Sequence, residues 1–451
     1  MRHVDLPDWL MDESRIDTVI VAFPDAYGRL LGKRLTRDYF ARAAVQSGVD
    51  SCNYLLTVDL DMEPREGFQL ASWQQGYGDF RGEVDVRTLR PLPWQAGTAL
   101  ALCDLRHESG GPVEEAPRRV LARQVQELAE RGYSARFGSE LEFFLFDEDS
   151  RALAARRFAD ARQASDYLID YHILQPGRDE GVLRRLRNEM SAAGITVECS
   201  KGEWGMGQHE VNLAYAEAVE MADRHVIYKL GAKEIARQEG RAVTFMAKWA
   251  ADQAGSSCHI HASLWDAAGE GNLLWDPQAG APSGTFRHFL GGLLRYGREF
   301  TYLFAPTVNA YKRYLPASWA PTKLVWAHDN RTCGFRVVGH GNACRVENRV
   351  PGADTNPYLA FAATIAAGLR GIDEDLDCGD PYRGDAYGGD DLPRVPASLE
   401  EAIALLDASE AAREAFGDEV IDFYVHTGRI EAEAFRAAVT DWERLRYFEQ
   451  L

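Results

Sequence analysis

The chain has 451 residues, of which 46% are hydrophobic and 26% are charged. This composition is typical of a globular protein of two or three domains and excludes a disordered, collagen-like or low-complexity chain. The 69 acidic residues outnumber the 50 lysines and arginines, and the resulting net charge of −19 disfavours binding to nucleic acids and to anionic membrane surfaces.

The first hundred residues indicate short strands. Residues 16–23 alternate loosely between apolar and polar types, a turn signal follows at 25–28, and residues 29–35 fit the returning strand of a hairpin. Residues 37–47 have helical spacing, and residues 84–105 are again rich in strand formers. A polar link with two glycines and a proline follows at 108–112. We therefore predict one domain over residues 1–108 and a second over residues 109–451.

The second part of the chain mixes helices with short strands. Residues 116–132, 214–240 and 285–304 have helical spacing, and residues 373–396 are rich in Gly, Asp and Pro, which predicts a mobile loop. The chain is helical again from Ser398, where Ser398 and Glu401 have the spacing of a capping box.

The spacing of the cysteines and the first residues of the chain indicate where in the cell the protein is located. The seven cysteines are odd in number, widely spaced and without a CxxC pair, which is typical of a reducing compartment and not of a disulfide framework or a zinc ribbon. Residues 1–7 lack a basic-then-apolar leader, and no apolar run reaches the roughly 18 residues of a membrane span. We expect a soluble cytoplasmic protein.

Four short runs in the second part alternate with period 2, so each should be a strand with one polar face. Those faces hold Glu140 and Glu142; Gln208, Glu210 and Asn212; His259, His261 and Ser263; and Arg345, Glu347 and Arg349. Glu203 lies just before the second run, across a turn. The exposed face of an antiparallel sheet also alternates, but it usually carries Lys, Thr and Ser. Five carboxylates and one imidazole instead suit two three-ligand sites for Mg²⁺ or Mn²⁺, whereas zinc would want more His or Cys.

Arginines are concentrated in the same part of the chain, at positions 313, 331, 336, 345 and 349. They could pair with the neighbouring acids, or bind carboxylates and phosphates bidentately. Metal sites combined with arginines favour phosphoryl transfer, but the motifs of P-loop enzymes and protein kinases are missing. A two-metal hydrolase stays open as an alternative, although it has no special need for five arginines.

These motifs resemble those of the glutamine synthetase family, in the family's order and over nearly the whole chain. They are residues 138–142, Glu203 with 207–210, 255–263, 309–313, 330–331 and 345–349. The resemblance implies an α+β fold, with a small N-terminal β-grasp domain and a catalytic domain whose curved antiparallel sheet is flanked by helices. It also implies a dodecamer of two hexameric rings with active sites between neighbouring subunits.

The resemblance further implies that ATP phosphorylates glutamate to γ-glutamyl phosphate, which a nitrogen nucleophile then attacks, with two or more divalent ions per subunit. Glu142, Glu203 and Glu210 would hold one ion, and Glu140, His259 and Glu347 the other. The implied nucleotide contacts are Glu198, His261, Ser263, Arg336 and Arg345. Gly255, Arg313 and Arg349 would contact glutamate, Arg331 would stabilise the transferring phosphoryl group, and Asp50 would be the acid reaching in from the adjacent subunit.

One departure from the family pattern concerns the nitrogen donor. Members that use ammonia have a glutamate where this chain has Trp319, and Ala254 replaces an asparagine. An indole lacks the charge that attracts ammonium, but it can hold a cation by about 0.5–2 kcal/mol and pack against carbon. We therefore expect a γ-glutamylamide synthetase for a primary amine, similar to the ligases of amine catabolism. A short amine such as ethanolamine or an alkylamine is favoured, because no extra acids lie near Trp319 for a polyamine.

This hypothesis has three alternatives. The enzyme could be a glutamine synthetase that uses ammonia, with Trp319 as lid packing, or a γ-glutamylpolyamine synthetase. A relative that has lost catalysis should show a broken ligand set, whereas every metal position is filled here.

Overall fold

A computed structural model describes residues 6–12 and 15–451, and its first part forms a five-stranded sheet. The strands are β1 (Thr18–Pro24), β2 (Leu30–Thr36), β3 (Val49–Cys52), β4 (Asp79–Pro91) and β5 (Thr98–His107), in the order β2-β1-β5-β4-β3. Strand β1 runs parallel to β5, and the other neighbours are antiparallel. The predicted hairpin is confirmed, since Thr18 pairs with Thr36 and Pro24 with Leu30.

A larger, nine-stranded sheet follows. It consists of β6 (Tyr133–Phe146), β7 (Val197–Gly202), β8 (Gln208–Leu213), β9 (Ala216–Glu217), β10 (Ala242–Thr244), β11 (Cys258–Asp266), β14 (Trp326–His328), β15 (Phe335–Val338) and β16 (Arg345–Asn348). The order is β14-β15-β16-β11-β6-β8-β7, with β9 and β10 also on β6. All pairings are antiparallel except that of β14 with β15. The short strands β12 (Trp275–Asp276) and β13 (Ala281–Pro282) pair separately.

Helices lie before, between and after the strands in the described residues. They are α1 (Asp8–Met11), α2 (Arg37–Tyr39), α3 (Val45–Ser47), α4 (Pro117–Glu130), α5 (Ser150–Ala155), α6 (Glu180–Ala192), α7 (Ala218–Gln238), α8 (Gly284–Tyr296), α9 (Thr301–Phe304), α10 (Pro357–Asp373), α11 (Leu399–Asp407), α12 (Glu410–Phe416), α13 (Asp418–Ala437) and α14 (Asp441–Tyr447). The helix predicted over 285–304 is two helices, because the chain leaves α8 at Gly297. Ser398 caps α11 as predicted, accepting a hydrogen bond from the Glu401 amide at 3.2 Å.

Alternation along β6 decides which face of the large sheet is packed. Leu141 and Phe143 are fully buried, and Phe137 on the same face stacks on Phe361 of α10, with ring centres 4.5 Å apart. Helices α4 and α7 also pack against β6. Because successive residues of a strand point to opposite faces, Glu140 and Glu142 lie on the face turned away from these helices.

A buried arginine connects the two sheets. Arg118, in the first turn of α4, donates to Asp85 of β4 at 2.7 Å, to Asp104 of β5 at 2.5 Å and to Asp223 of α7 at 3.1 Å. The hydroxyl of Tyr358 on α10 also donates to Asp223, at 2.7 Å. The small sheet, α7 and α10 are therefore tied together by one charged network.

No helix in the ranges 6–12 and 15–451 is both long enough and apolar enough to pass through a membrane.

Candidate active site

Neighbouring strands of the large sheet bring the predicted polar faces together. Strands β16, β11, β6 and β8 lie side by side, and their register sets His259 opposite Glu140, Glu142 opposite Glu210, and His261 opposite Glu347. Directly opposite residues share a face of the sheet. The strand pairing thus collects side chains from four separate segments on one surface.

One predicted three-ligand group is closely packed in the structure. Ligand atoms of Glu140, His259 and Glu347 all lie within 4.8 Å of one another, with His259 Nδ1 at 3.3 Å from Glu140 Oε2 and 3.6 Å from Glu347 Oε1. Burial and the nearby Arg349 lower the pKa of His259 to about 4, so the imidazole is neutral at pH 7. Burial raises the pKa of Glu347, but Arg349 and His259 outweigh it and bring it to about 2.

The second group differs in part from the predicted one. Glu142 and Glu210 come within 4.8 Å of His259, so this imidazole belongs to both groups. Glu203, one residue after β7, instead accepts a hydrogen bond from Lys201, whose Nζ is also 4.0 Å from Glu210. No sequence pattern singles out Lys201. The turn expected before the second polar run is present at residues 204–207, where the Gln208 amide donates to the Gly205 carbonyl at 3.1 Å.

Burial and mutual repulsion disfavour the ionised forms of the acids in this second group. Burial and the neighbouring Glu203 raise the pKa of Glu142 to about 8, and the same two causes raise the pKa of Glu210. Within the described ranges, the Nε2 atom of His259 is buried and has no hydrogen-bond partner. Hard oxygen donors and a neutral imidazole suit a hard divalent cation, whose charge would balance these carboxylates. The residues present therefore fit two ion positions.

This fit predicts stabilisation by divalent cations. At a concentration of Mg²⁺ or Mn²⁺ about 100 times the dissociation constant, each occupied position should stabilise the folded state by about 2.7 kcal/mol, measurable as a rise in the thermal unfolding midpoint. Glu142→Gln should remove the part of that rise that comes from its own position. Glu220→Gln, which changes an exposed acid on α7 paired with Arg224, should keep it. An equal rise in all three proteins would contradict ion binding at these carboxylates.

Arginines surround the same acids in a cavity of about 520 Å³, here called the first cavity. Both oxygens of Glu347 accept from arginines, one from Arg349 at 2.5 Å and the other from Arg336 at 3.0 Å. Arg313 is 1% exposed and passes so close to Gly255 that a Cβ atom there would lie 2.3 Å from its Cγ. Arg331 is exposed on the cavity wall and makes no ion pair with a described residue, so its guanidinium is free for an anion.

A second cavity, of about 610 Å³, lies beside the first. Four predicted nucleotide contacts line it, namely Glu198, His261, Ser263 and Arg345, whereas Arg336 lines the first cavity. Arg345 donates to His261 Nδ1 at 3.1 Å. No sequence pattern singles out Arg136. Its guanidinium stacks on Trp265, with Cζ 4.0 Å from the ring centre. Glu140 and Asn212 line both cavities, so the two meet at the sheet face.

Trp319 and Asp50 lie in very different places. Trp319 lines the first cavity, is 48% exposed, and meets Trp204 edge to face with ring centres 5.6 Å apart. Asp50 lies on β3 at the edge of the small sheet, pairs with Arg81 at 3.3 Å and lines neither cavity of its own chain. Asp170, Tyr171 and Trp204 also line the first cavity and were not singled out from the sequence.

Comparisons with a family model and with individual proteins point to the same kind of enzyme. A family model described as "Glutamine synthetase, catalytic domain" matches residues 114–447. The γ-glutamylethanolamide synthetase GlnA4 of Streptomyces coelicolor is 50% identical over 436 residues, covering 97% of this chain and 93% of that protein. A glutamate–isopropylamine ligase from a Pseudomonas species is 35% identical, covering 97% and 96%.

A comparison of the fold with solved structures agrees with the sequence comparisons. The solved structure titled "Apo GmaS without ligand" is 28% identical and superposes with a TM-score of 0.86, covering 99% of this chain and 100% of that one. The likeness therefore extends over both sheets.

Proposed function

Because the chain belongs to the glutamine synthetase family, we propose that it is an ATP-dependent ligase that joins the γ-carboxylate of glutamate to a primary amine through γ-glutamyl phosphate. The observation that carries this proposal is the first cavity itself. It combines two groups of cation-binding side chains and four arginines with an indole, Trp319, where ammonia-using members have an acid.

The phosphoryl-transfer step explains the charges on the cavity wall. A phosphoryl group passing from ATP to a carboxylate brings negative charges together, so cations must surround it. Divalent cations, Mg²⁺ or Mn²⁺, supply part of that charge when held by Glu140, His259 and Glu347 and by Glu142, Glu203 and Glu210. In this proposal Arg331 contacts the transferring phosphoryl group, because its guanidinium lines the first cavity and makes no ion pair with a described residue.

The substrates are assigned to the two cavities by chemistry. Glutamate occupies the first cavity, with its carboxylates at Arg313 and Arg349 and its backbone beside Gly255, where the lack of a side chain lets Arg313 pack closely. The nucleotide occupies the second cavity, beside Glu198, His261, Ser263 and Arg345. Its phosphates extend past Glu140 toward Arg336, since Glu140 lines both cavities.

The nitrogen donor is a short primary amine. Trp319 is half-exposed and packs on Trp204 at the first cavity, so the donor meets indole faces that can contact both an ammonium group and carbon. Of the relatives compared, one is named for γ-glutamylethanolamide and one for isopropylamine. Ammonia and polyamines are the competing donors.

An amine panel tests the proposal. With ATP, Mg²⁺ and glutamate, ethanolamine or isopropylamine should drive phosphate release at least about tenfold more efficiently than ammonium, because the site favours carbon contact. Omitting glutamate should stop the release, which separates the ligase from a two-metal hydrolase. Rapid turnover with ammonium and none with amines would show that the enzyme is a glutamine synthetase.

We also propose the architecture that the family suggests. Residues 1–108, which include the five-stranded sheet, form a β-grasp domain, and residues 109–451 form the catalytic domain. Twelve copies assemble as two hexameric rings in the cytoplasm, and Asp50 reaches the first cavity of a neighbouring subunit. Support comes from the family match that begins at residue 114 and from the position of Asp50 at the edge of the small sheet.

A further inference from the structure

One acid that lines the first cavity belongs to neither group of ion-binding side chains. Of the described residues, six acids line this cavity, and five of them are Glu140, Glu142, Glu203, Glu210 and Glu347. The sixth is Asp170, an exposed residue between α5 and α6. No described residue donates a hydrogen bond to its carboxylate or pairs with it. Asp170 therefore offers an unused negative charge at the cavity.

The backbone holds Asp170 in place although the residue belongs to a loop. Ile169 is fully buried, and the amide of Tyr171 donates to the carbonyl of Gly202, the last residue of β7, at 3.2 Å. A Cβ atom at position 202 would lie 2.3 Å from the Ile169 carbonyl oxygen, so only glycine allows this contact. The loop therefore packs against the end of β7, one residue before Glu203.

The charge of the cavity explains why an acid is needed there. Lys201, Arg313, Arg331, Arg336 and Arg349 line the cavity, and bound divalent ions would neutralise the five glutamates. The remaining positive side chains then repel a cation that enters the cavity. Primary amines are nevertheless protonated, and therefore cationic, at neutral pH. An ammonium group therefore needs a local negative charge to enter. Trp319 cannot provide it, whereas Asp170 can.

Aromatic rings also line the first cavity. Trp204 meets Trp319 edge to face, and both indoles are about half exposed. The ring of Tyr171 already contacts a primary alkylammonium in this structure, since Lys201 Nζ lies 4.6 Å from its centroid. Aromatic faces attract ammonium groups and also cover short carbon chains.

We propose that Asp170, together with Tyr171, Trp204 and Trp319, recognises the ammonium group of the amine substrate. This inference rests on the proposed function and names its specificity-determining residue. Because Asp170 is the single carboxylate outside the ion-binding set among the described lining residues, the site accommodates one ammonium group. A second ammonium group, as in a polyamine, has no matching acid, so the site selects short monoamines.

Asp170→Asn tests the inference, because it keeps the shape of the side chain and removes its charge. The KM for ethanolamine should rise about tenfold, while kcat and the KM values for glutamate and ATP stay within about twofold. Hydroxylamine, which is largely uncharged at neutral pH, should be used equally well by wild type and variant. Asp170→Glu should recover most of the affinity for ethanolamine.

A control variant makes the result specific. Asp166→Asn changes an exposed acid of the same loop that pairs with Arg178 at 3.5 Å, and it should leave the KM for ethanolamine unchanged. An unchanged KM for ethanolamine in Asp170→Asn, an equal loss with hydroxylamine, or an equal rise in Asp166→Asn would each overturn the role of Asp170. Failure of the wild type to use any amine would instead refute the proposed function.

Discussion

Replacing Glu347 by glutamine should lower glutamate-dependent phosphate release with an amine by about a thousandfold. Glu347 is fully buried and contacts Arg336, Arg349 and His259 at 3.6 Å or less. Removing its charge weakens one ion position and leaves two guanidinium groups without their shared carboxylate. Several kcal/mol of charge stabilisation are then lost, and each 1.36 kcal/mol corresponds to a factor of ten in rate.

Asp329→Asn is the matched control for this variant. Asp329 pairs with the same Arg336, but on its exposed side and outside both ion-binding groups. Its replacement should change the rate by less than about threefold, as is typical for exposed pairs. If Glu347→Gln kept a tenth of the activity, or if Asp329→Asn were equally damaging, the central position given to Glu347 would be wrong. The metal-induced rise in unfolding temperature provides a second readout, which Glu347→Gln should reduce.

Arg118→Leu should destabilise the fold by about 3–5 kcal/mol, the cost of removing one partner from a buried ion pair. The variant would leave Asp223, which is 2% exposed, without its guanidinium. Burial already raises the pKa of Asp223 in the intact protein, with Arg118 opposing the shift. Thermal unfolding followed by circular dichroism should show a midpoint lowered by about 3–5 °C.

Arg119→Leu controls for the loss of a charge at the start of α4. Arg119 pairs with Glu114 at 3.0 Å, and both side chains are about one-third exposed. Such a pair contributes about 1 kcal/mol or less. Equal midpoints for the two variants would mean that the network around Arg118 does not hold the small sheet against α7.

Local sequence patterns predicted the elements but not their arrangement. The period-2 runs gave β6, β8, β11 and β16, because side-chain alternation is a property of each strand alone. The order in which these strands pair depends on contacts between residues about 60 to 130 positions apart, which no local pattern records. The family resemblance, and not the alternation, supplied the grouping of Glu140 with His259 and Glu347.

The residues that were missed share a physical reason. Asp170 and Tyr171 lie in a segment without periodic spacing, where position is fixed by backbone contacts such as that of Ile169 with Gly202. Lys201 belongs to β7, a strand whose sequence, Val197–Gly202, mixes charged and small residues without clear alternation. The break between α8 and α9 was missed because the residues on both sides of Gly297 keep helical spacing.

The two cavities meet at Glu140 and Asn212 but are otherwise lined by different residues. Under the assignment made above, the nucleotide and the amino acid occupy separate spaces. Neither fills the space of the other, so we expect no obligatory order of addition between them.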